Sequence, residues 1–192
     1  MYKRIKIFIC LCGVFYFIGG LPSLYATTVR PLGLEEMVAL ADRIFVGEVT
    51  EVKEGKDEHG TFVTYVTFSA SHASKGEVPP KLTIKQLGRR TPDESGRIFR
   101  IPGLPTYHVG EEVVLFLHGT SQRGFTSPVG LGQGKFKVIR KGSNAFAENE
   151  LGGARLHSWK RYGLKTVQGS AGTMELSGFL SVVERMIKSQ HK

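Results

Sequence analysis

The run Val113-Val114-Leu115-Phe116-Leu117 decides how the rest of the chain folds. Its β-branched, leucine and aromatic side chains fall on both alternating faces, which predicts a central strand covered on two sides. A second run, Lys135-Phe136-Lys137-Val138-Ile139, follows a glycine-rich segment. Its apolar side chains share one face while Lys135 and Lys137 share the other, which predicts a half-buried strand with a basic outer face. The two runs together indicate a small, closed β fold.

Patterns on either side of these runs add three strands and two helices. In the third strand Leu82 and Ile84 are predicted to point inward, and Thr83 and Lys85 outward. The glycines of residues 130–134 are predicted to form a bend where strands approach closely, because no helix follows them as it would in a phosphate-binding loop. The chain is therefore predicted to be mainly β, a five-stranded OB-like barrel with a short N-terminal helix and a C-terminal helix docked on it. Strands are expected at residues 43–53, 61–71 and 81–87, and helices at residues 34–42 and 177–189.

The first 26 residues have the order of a secretory signal peptide. Three basic residues among the first six precede an apolar segment at residues 7–18, and Ala26 stands at the predicted cleavage point. The apolar segment is shorter than the roughly 20 residues that span a membrane. We expect cleavage after Ala26 and a mature chain that begins at Thr27 in the periplasm or outside the cell. The alternative is an uncleaved N-terminal anchor.

Cleavage would change both the charge and the cysteine content. It would remove Cys10 and Cys12, the two cysteines of the chain, and lower the formal net charge from +9 to +6. The remaining chain is long enough to bury a core without disulfides. We expect a barrel at residues 27–140, followed at 141–192 by an irregular segment and the helix that packs on the barrel. No stable membrane span is expected after cleavage.

The sequence contains no strong catalytic motif. It has no Gly-x-Ser-x-Gly turn and no cysteine beyond the signal peptide that could act as a nucleophile. No two histidines stand two, three or four residues apart, the spacing that suits a metal on one element. We therefore predict no catalytic, cofactor-binding or metal-ligating residues, and no enzyme activity. The histidines are His59, His72, His108, His118, His157 and His191.

A long loop at residues 88–105 is the best candidate for binding. Loops of this length inside a compact domain are often functional, and arginine makes planar, bidentate contacts with carboxylates and phosphates. The alternative is that acidic residues of the same loop pair with its arginines. A second candidate surface is aromatic and basic and lies in the trailing segment, where the alternative is that the tryptophan pins the tail to the barrel. The candidate binding residues are Arg89, Arg90, Arg97, Arg100, Trp159 and Tyr162.

Several short pieces resemble the netrin-like module, the N-terminal fold of the tissue inhibitors of metalloproteinases. They are the Ala41-Asp42 pair with the strand that follows, the Ser74-Lys75-Gly76 run that ends a strand, and the glycine with its apolar strand at residues 110–117. The resemblance implies a five-stranded OB-type barrel and an extracytoplasmic binding or inhibitor-like module. Those inhibitors place an N-terminal cysteine at the protease zinc. The mature chain has no cysteine, so no inhibitory residue carries over.

Three functions remain open at this point. The first, which we favour, is a secreted, non-enzymatic module that binds a protein or an acidic ligand outside the cytoplasm. The second is an OB-type binder of polyanions, either oligosaccharide or nucleic acid, although export argues against intracellular nucleic acid. The third is a secreted hydrolase or metal enzyme whose site is assembled from scattered residues.

Overall fold

The computed structural model describes residues 30–149 and 173–190, and the predicted signal peptide, Trp159 and Tyr162 lie outside these ranges. Within them the chain forms two α-helices, one 3₁₀ helix and seven strands. The helices are α1 (Leu34–Leu40) and α2 (Leu176–Gln190), and the 3₁₀ helix is Leu131–Gly134. The strands are β1 (Arg43–Lys56), β2 (Phe62–Lys75), β3 (Lys81–Leu87), β4 (Glu112–Leu117), β5 (Lys135–Lys141), β6 (Asn144–Asn149) and β7 (Thr173–Glu175).

The strands form one antiparallel sheet in the order β3-β2-β1-β4-β5-β6-β7. The predicted mainly β class with two helices is confirmed, but the five-stranded barrel is wrong. A five-stranded barrel would close only if β5 paired back across the sheet. Instead, the second edge of β5 pairs with β6 in the register Phe136 opposite Asn149, and β7 continues the sheet. Part of the segment expected to be irregular after residue 140 therefore supplies two strands.

Both faces of the central strand β4 are buried, as its sequence predicts. Phe116 lies in a core with α1 and α2, where its ring centroid is 6.2 Å from that of Phe179. Leu115 lies in a second core on the opposite face of the sheet, together with Phe45 and Phe68. The N-terminal and C-terminal helices cover one face of the sheet, and Tyr107, from the chain between β3 and β4, packs into the core on the other face.

Lys135 is buried, so the prediction that it lies on a solvent-facing basic surface with Lys137 is wrong. Its side chain is 1% exposed, and its Nζ lies 2.7 Å from Glu111 Oε1, on a side chain that is 6% exposed. Nζ also donates a hydrogen bond of 2.7 Å to the carbonyl of Thr106 and lies 4.9 Å from the ring centroid of Tyr107. A carboxylate and an aromatic ring together compensate the ammonium for the loss of water. Lys137 is exposed, as predicted.

Residues 118–128, most of the connection between β4 and the 3₁₀ helix and here called the 118–128 connection, reach across to the edge strand β3. Leu117 forms a bridge with Pro128, and Lys85 forms a bridge with Phe125. The N–H of Thr126 donates a 2.9 Å hydrogen bond to the carbonyl of Lys85. This connection therefore meets β3 near the start of the long loop at residues 88–105.

The glycine-rich segment marks a close backbone approach, as its pattern predicts. A Cβ on Gly134 would lie 2.6 Å from the carbonyl oxygen of Val129 and 2.9 Å from that of Phe116. Only glycine fits there without displacing backbone. Among the described residues, no helix has the length and apolar character needed to cross a membrane.

Candidate functional site

The loop at residues 88–105, here called the arginine loop, is held by its own backbone hydrogen bonds. The N–H of Arg89 donates to the carbonyl of Phe99 at 2.7 Å, and the N–H of Asp93 donates to that of Arg97 at 2.8 Å. These two pairs fold the first half of the loop back on itself. The loop therefore presents a defined shape rather than an open chain.

Asp93 fixes the turn at the tip of the arginine loop. Its Oδ1 accepts hydrogen bonds from the Ser95 hydroxyl at 2.7 Å, the Ser95 N–H at 2.9 Å and the Arg97 N–H at 2.8 Å. The Ser95 hydroxyl and these N–H groups favour the ionised carboxylate and lower the pKa of Asp93 to about 2. The turn is thus held by a carboxylate that stays charged at neutral pH.

Glu54 on β1 ties the start of the loop to the sheet. Its two carboxylate oxygens accept hydrogen bonds from the N–H groups of Arg90 at 3.0 Å and Thr91 at 2.9 Å. Partial burial opposes ionisation of Glu54, but the hydrogen bonds from Thr91 and Arg90 outweigh it, and the pKa of this carboxyl is lowered. The loop is therefore anchored at its base as well as at its tip.

The four predicted arginines lie on this one loop but differ in their surroundings. Arg89 lies over the ring of Phe62 at 4.9 Å and donates to the carbonyls of Thr91 and Pro92. Arg97 pairs with Asp93 at 3.3 Å, as the alternative reading of a self-paired loop expected. Arg90 and Arg100 are exposed.

Between two of these arginines stand two exposed apolar side chains that the sequence reasoning did not single out. Ile98 is 54% exposed and Phe99 is 43% exposed. Together with Arg97 and Arg100 they form a continuous exposed segment, here called the 97–100 strip. The sequence feature that could have indicated their exposure is their position next to two arginines on a long loop. Large apolar residues in such a loop have no strand or helix to bury them.

An open groove of about 720 Å³ separates the arginine loop from the turn between β1 and β2. Its basic residues are Lys56, Arg89 and Arg97, and Phe62 lies between them. Lys56 Nζ is 5.1 Å from the centroid of the Phe62 ring, on which Arg89 also lies. The groove thus contains two cations in contact with one aromatic ring, and Asp93 and Glu94 of the loop tip also line it.

Lys85 on β3 is not exposed either, contrary to the outward position predicted from alternation. Its Nζ lies 2.8 Å from Asp57 Oδ2, whose side chain is fully buried. The hydrogen bond from Lys85 lowers the pKa of Asp57 and raises that of Lys85. Asp57 also accepts from the N–H groups of His59 and Thr61. This ion pair fastens the β1–β2 turn to the edge strand.

A second cleft, of about 480 Å³, lies where the base of the arginine loop meets the 118–128 connection. The apolar residues that line it are Leu87, Ile101, Leu104, Phe125 and Leu131. The polar residues that line it are Gln86, His118, Ser121, Thr126 and Ser127.

Neither the loop nor the cleft has the donor set of a metal site. Within residues 30–149 and 173–190, no group of three or more histidine, cysteine, aspartate or glutamate side chains is arranged to hold a metal ion.

The fold and the arginine loop together define a mainly β protein with a preformed, arginine-rich candidate binding surface. No protein-family model matches the chain, and no curated protein gives a significant match.

Proposed function

We propose that this chain is a non-enzymatic binding module that acts outside the cytoplasm and contacts an acidic protein partner through the arginine loop. The observation that carries the proposal is the 97–100 strip. It exposes Ile98 and Phe99 between two arginines on a loop whose backbone is fixed by Asp93 and Glu54. The signal peptide predicted at residues 1–26 supports the location outside the cytoplasm. The resemblance to the netrin-like module supports a binding module as the class of protein.

Aromatic and arginine side chains are the residue types that contribute most to protein–protein affinity when a partner covers them. A single exposed apolar side chain needs no explanation, but two adjacent ones flanked by arginines on a long loop form a small amphipathic surface. The internal hydrogen bonds of the loop reduce the conformational entropy that it would lose on binding. These features favour a protein surface with an apolar depression and acidic residues around it.

The charge distribution supports the acidic character of the partner. The groove beside the loop is lined by Lys56, Arg89 and Arg97, and of these Arg97 pairs with Asp93. Arg90 and Arg100 add exposed positive charge nearby. Positive charge on the rim of an interface accelerates the encounter with an acidic partner. Added salt screens this attraction and weakens it.

The test combines charge and apolar variants of the loop. In the first variant Arg89, Arg90, Arg97 and Arg100 are changed to serine, and in the second Ile98 and Phe99 are changed to serine. Each is used as immobilised bait for proteins released from the cell envelope, with mass spectrometry of what is retained. We expect both variants to lose the same retained protein, because a protein interface needs the apolar strip as well as the charges.

The control variant changes four exposed lysines outside the loop, Lys53, Lys81, Lys137 and Lys141, to serine, which lowers the net charge equally. It should retain the partner, and the loop variants should unfold within about 0.5 kcal/mol of the wild type, as surface changes do.

Two other outcomes have distinct meanings. The wild type could instead bind heparin or single-stranded nucleic acid with a steep salt dependence. If the arginine variant loses this binding while the Ile98 and Phe99 variant keeps it, the module binds polyanions. If both loop variants retain the same proteins as the wild type, the loop is not the contact surface and the proposal is wrong.

A further inference from the structure

The 97–100 strip lies beside the chain that follows the edge strand β3. The N–H of Gly88 donates to the carbonyl of Phe62 on β2 at 2.8 Å, and the N–H of Arg89 donates to the carbonyl of Phe99 in the strip at 2.7 Å. A Cβ on Gly88 would lie 2.7 Å from the same carbonyl oxygen of Phe99, so the strip and this chain approach each other closely. The chain after β3 thus bonds to β2 and also to the strip, which places the strip at the margin of the sheet.

The backbone of the strip has one occupied side and one open side. The carbonyl of Arg97 accepts from the N–H of Asp93 at 2.8 Å, and the carbonyl of Phe99 is also bonded to the first half of the loop. Carbonyls two residues apart in an extended chain point to the same side, so the backbone groups of Ile98 and Arg100 point away from the loop. Within residues 30–149 and 173–190, neither of these two residues makes a backbone hydrogen bond, and both are exposed.

This open edge is four residues long. Before it, the N–H of Gly96 turns back to the carbonyl of Asp93 at 2.8 Å. After it stands Pro102, which has no N–H to donate. An extended segment of another molecule can therefore pair with residues 97–100 and cannot continue along the loop, which suits a limited contact and not open-ended sheet growth.

The side chains of the strip favour one order of residues in such a segment. Alternation places Arg97 and Phe99 on one face of the strip, and Ile98 and Arg100 on the other. The Arg97 side chain is 80% exposed, although its Nε is used by Asp93. Opposite charges across paired strands stabilise the pairing, as do apolar pairs. A complementary segment therefore has an acidic residue opposite each arginine and apolar residues opposite Ile98 and Phe99, which is the order acidic, apolar, apolar, acidic in either direction.

We propose that the 97–100 strip binds its partner by β-strand addition, with an extended partner segment of the order acidic, apolar, apolar, acidic. The segment pairs antiparallel, the commoner arrangement, and its backbone bonds to Ile98 and Arg100 as in other complexes formed by strand addition. This inference rests on the proposed function, because it specifies how an acidic protein partner contacts the arginine loop.

The probe is the peptide acetyl-Thr-Glu-Val-Val-Glu-Thr-amide, titrated into the ¹⁵N-labelled protein and followed by ¹H–¹⁵N correlation spectra. The N–H protons of Ile98 and Arg100 should move downfield in a saturable way, because they gain hydrogen bonds. The N–H of Arg97 already donates to Asp93 Oδ1 at 2.8 Å and should move less. The dissociation constant should be on the order of 1 mM, since a flexible peptide loses conformational entropy on binding.

The matched control peptide is acetyl-Thr-Val-Glu-Glu-Val-Thr-amide, which has the same composition and charge. It places its acidic residues opposite Ile98 and Phe99 and its valines opposite the arginines. It should bind about fivefold more weakly, because each of the four cross-strand pairs is mismatched. Attraction by net charge alone predicts equal binding of the two peptides.

A second pair of peptides tests the backbone contact. In the antiparallel arrangement the second valine of the probe lies opposite Ile98, so its N–H points at the strip, while the N–H of the first valine points away. N-methylation of the second valine should weaken binding about tenfold, the effect of losing one hydrogen bond at a crowded position. N-methylation of the first valine is the control and should leave the affinity within about twofold of the parent peptide.

Three results would overturn the proposal: no saturable shift of Ile98 and Arg100, equal binding of the two peptides of the same composition, or equal effects of the two methylations. The capture experiment on the loop variants is decided separately. If those variants lose the captured protein while the peptides fail, the loop contacts its partner through side chains alone. If the peptides bind as expected while the loop variants keep every captured protein, strand addition stands and the proposed partner contact is wrong.

Discussion

Replacing Lys135 by methionine should destabilise the protein strongly, although the methionine is apolar and similar in length. The change removes the ammonium 2.7 Å from Glu111 Oε1 and leaves that carboxylate in a site where its side chain is 6% exposed. Breaking a buried ion pair from one side typically costs about 3–5 kcal/mol, because the remaining charge is uncompensated. The carbonyl of Thr106 also loses a 2.7 Å hydrogen bond.

The assay is equilibrium unfolding in urea, followed by circular dichroism. With a slope of about 2 kcal/mol per molar urea for a chain of this size, the midpoint should fall by about 1.5–2.5 M. Lys137→Met is the control, since Lys137 stands two residues away on β5 and is exposed. Its free energy of unfolding should stay within about 0.5 kcal/mol of the wild-type value.

A second replacement shows whether the uncompensated charge causes the loss. In the variant with both Lys135→Met and Glu111→Gln no charge remains buried at this site. The new amide oxygen can still accept the hydrogen bond that the N–H of His108 donates to Glu111 at 3.2 Å. The double variant should recover part of the stability that Lys135→Met loses, a positive coupling between the two sites. If Lys135→Met unfolds at the wild-type midpoint, or if the two losses simply add, the pair does not act as a buried ion pair.

The remaining predictions address the core, the loop tip and the N-terminus. Truncating Phe116 or Leu115 to alanine should each cost about 2–5 kcal/mol by leaving a cavity, and a urea midpoint equal to that of the wild type would contradict the burial of both. The carboxyl of Asp93 should titrate near pH 2, below its ordinary value of 3.8, so its contribution to the loop is complete above about pH 4 and is lost as the pH falls through 2; an NMR titration midpoint at or above 3.8 would show that the turn does not hold it. Mass spectrometry of the exported protein should find Thr27 at the N-terminus, and an intact Met1 would exclude cleavage there.

The strands predicted from alternation follow the periodicity of the sequence, since half-buried strands need apolar residues on one face. The pattern at residues 43–53 and 81–87 placed β1 and β3 well, and the mixed apolar run marked β4 as buried on both faces. Strand β6 lacked such a signal because Asn144–Asn149 has few β-branched residues. Without β6 and β7, five strands remained, and five strands suggested a barrel.

The two buried lysines show the limit of reading strands by alternation. Lysine on a strand is usually exposed, so alternation predicts outward positions for Lys85 and Lys135. Each is buried because a carboxylate from a distant part of the chain, Asp57 or Glu111, lies within 3 Å of its Nζ. Such a partner comes from tertiary contacts, which a single strand pattern does not contain.

The candidate sites were predictable to different degrees. The length and composition of the arginine loop were visible in the sequence, whereas its hydrogen bonds to Glu54 join residues more than thirty positions apart. The inward position of Gln86 follows from the same alternation that places Leu82 and Ile84 in the core. That Gln86 lines a cleft depends on the 118–128 connection, which the sequence does not position.

The contact between the 118–128 connection and β3 also bears on how the edge of the sheet meets other molecules. An edge strand with free N–H and carbonyl groups can recruit a strand from another molecule and start aggregation. Here the carbonyl of Lys85 is already taken by the N–H of Thr126, and the connection bridges the edge at Phe125. Exposed Lys81 places a charge at the beginning of the same strand. The connection that forms a wall of the cleft thus also blocks intermolecular sheet growth along this edge.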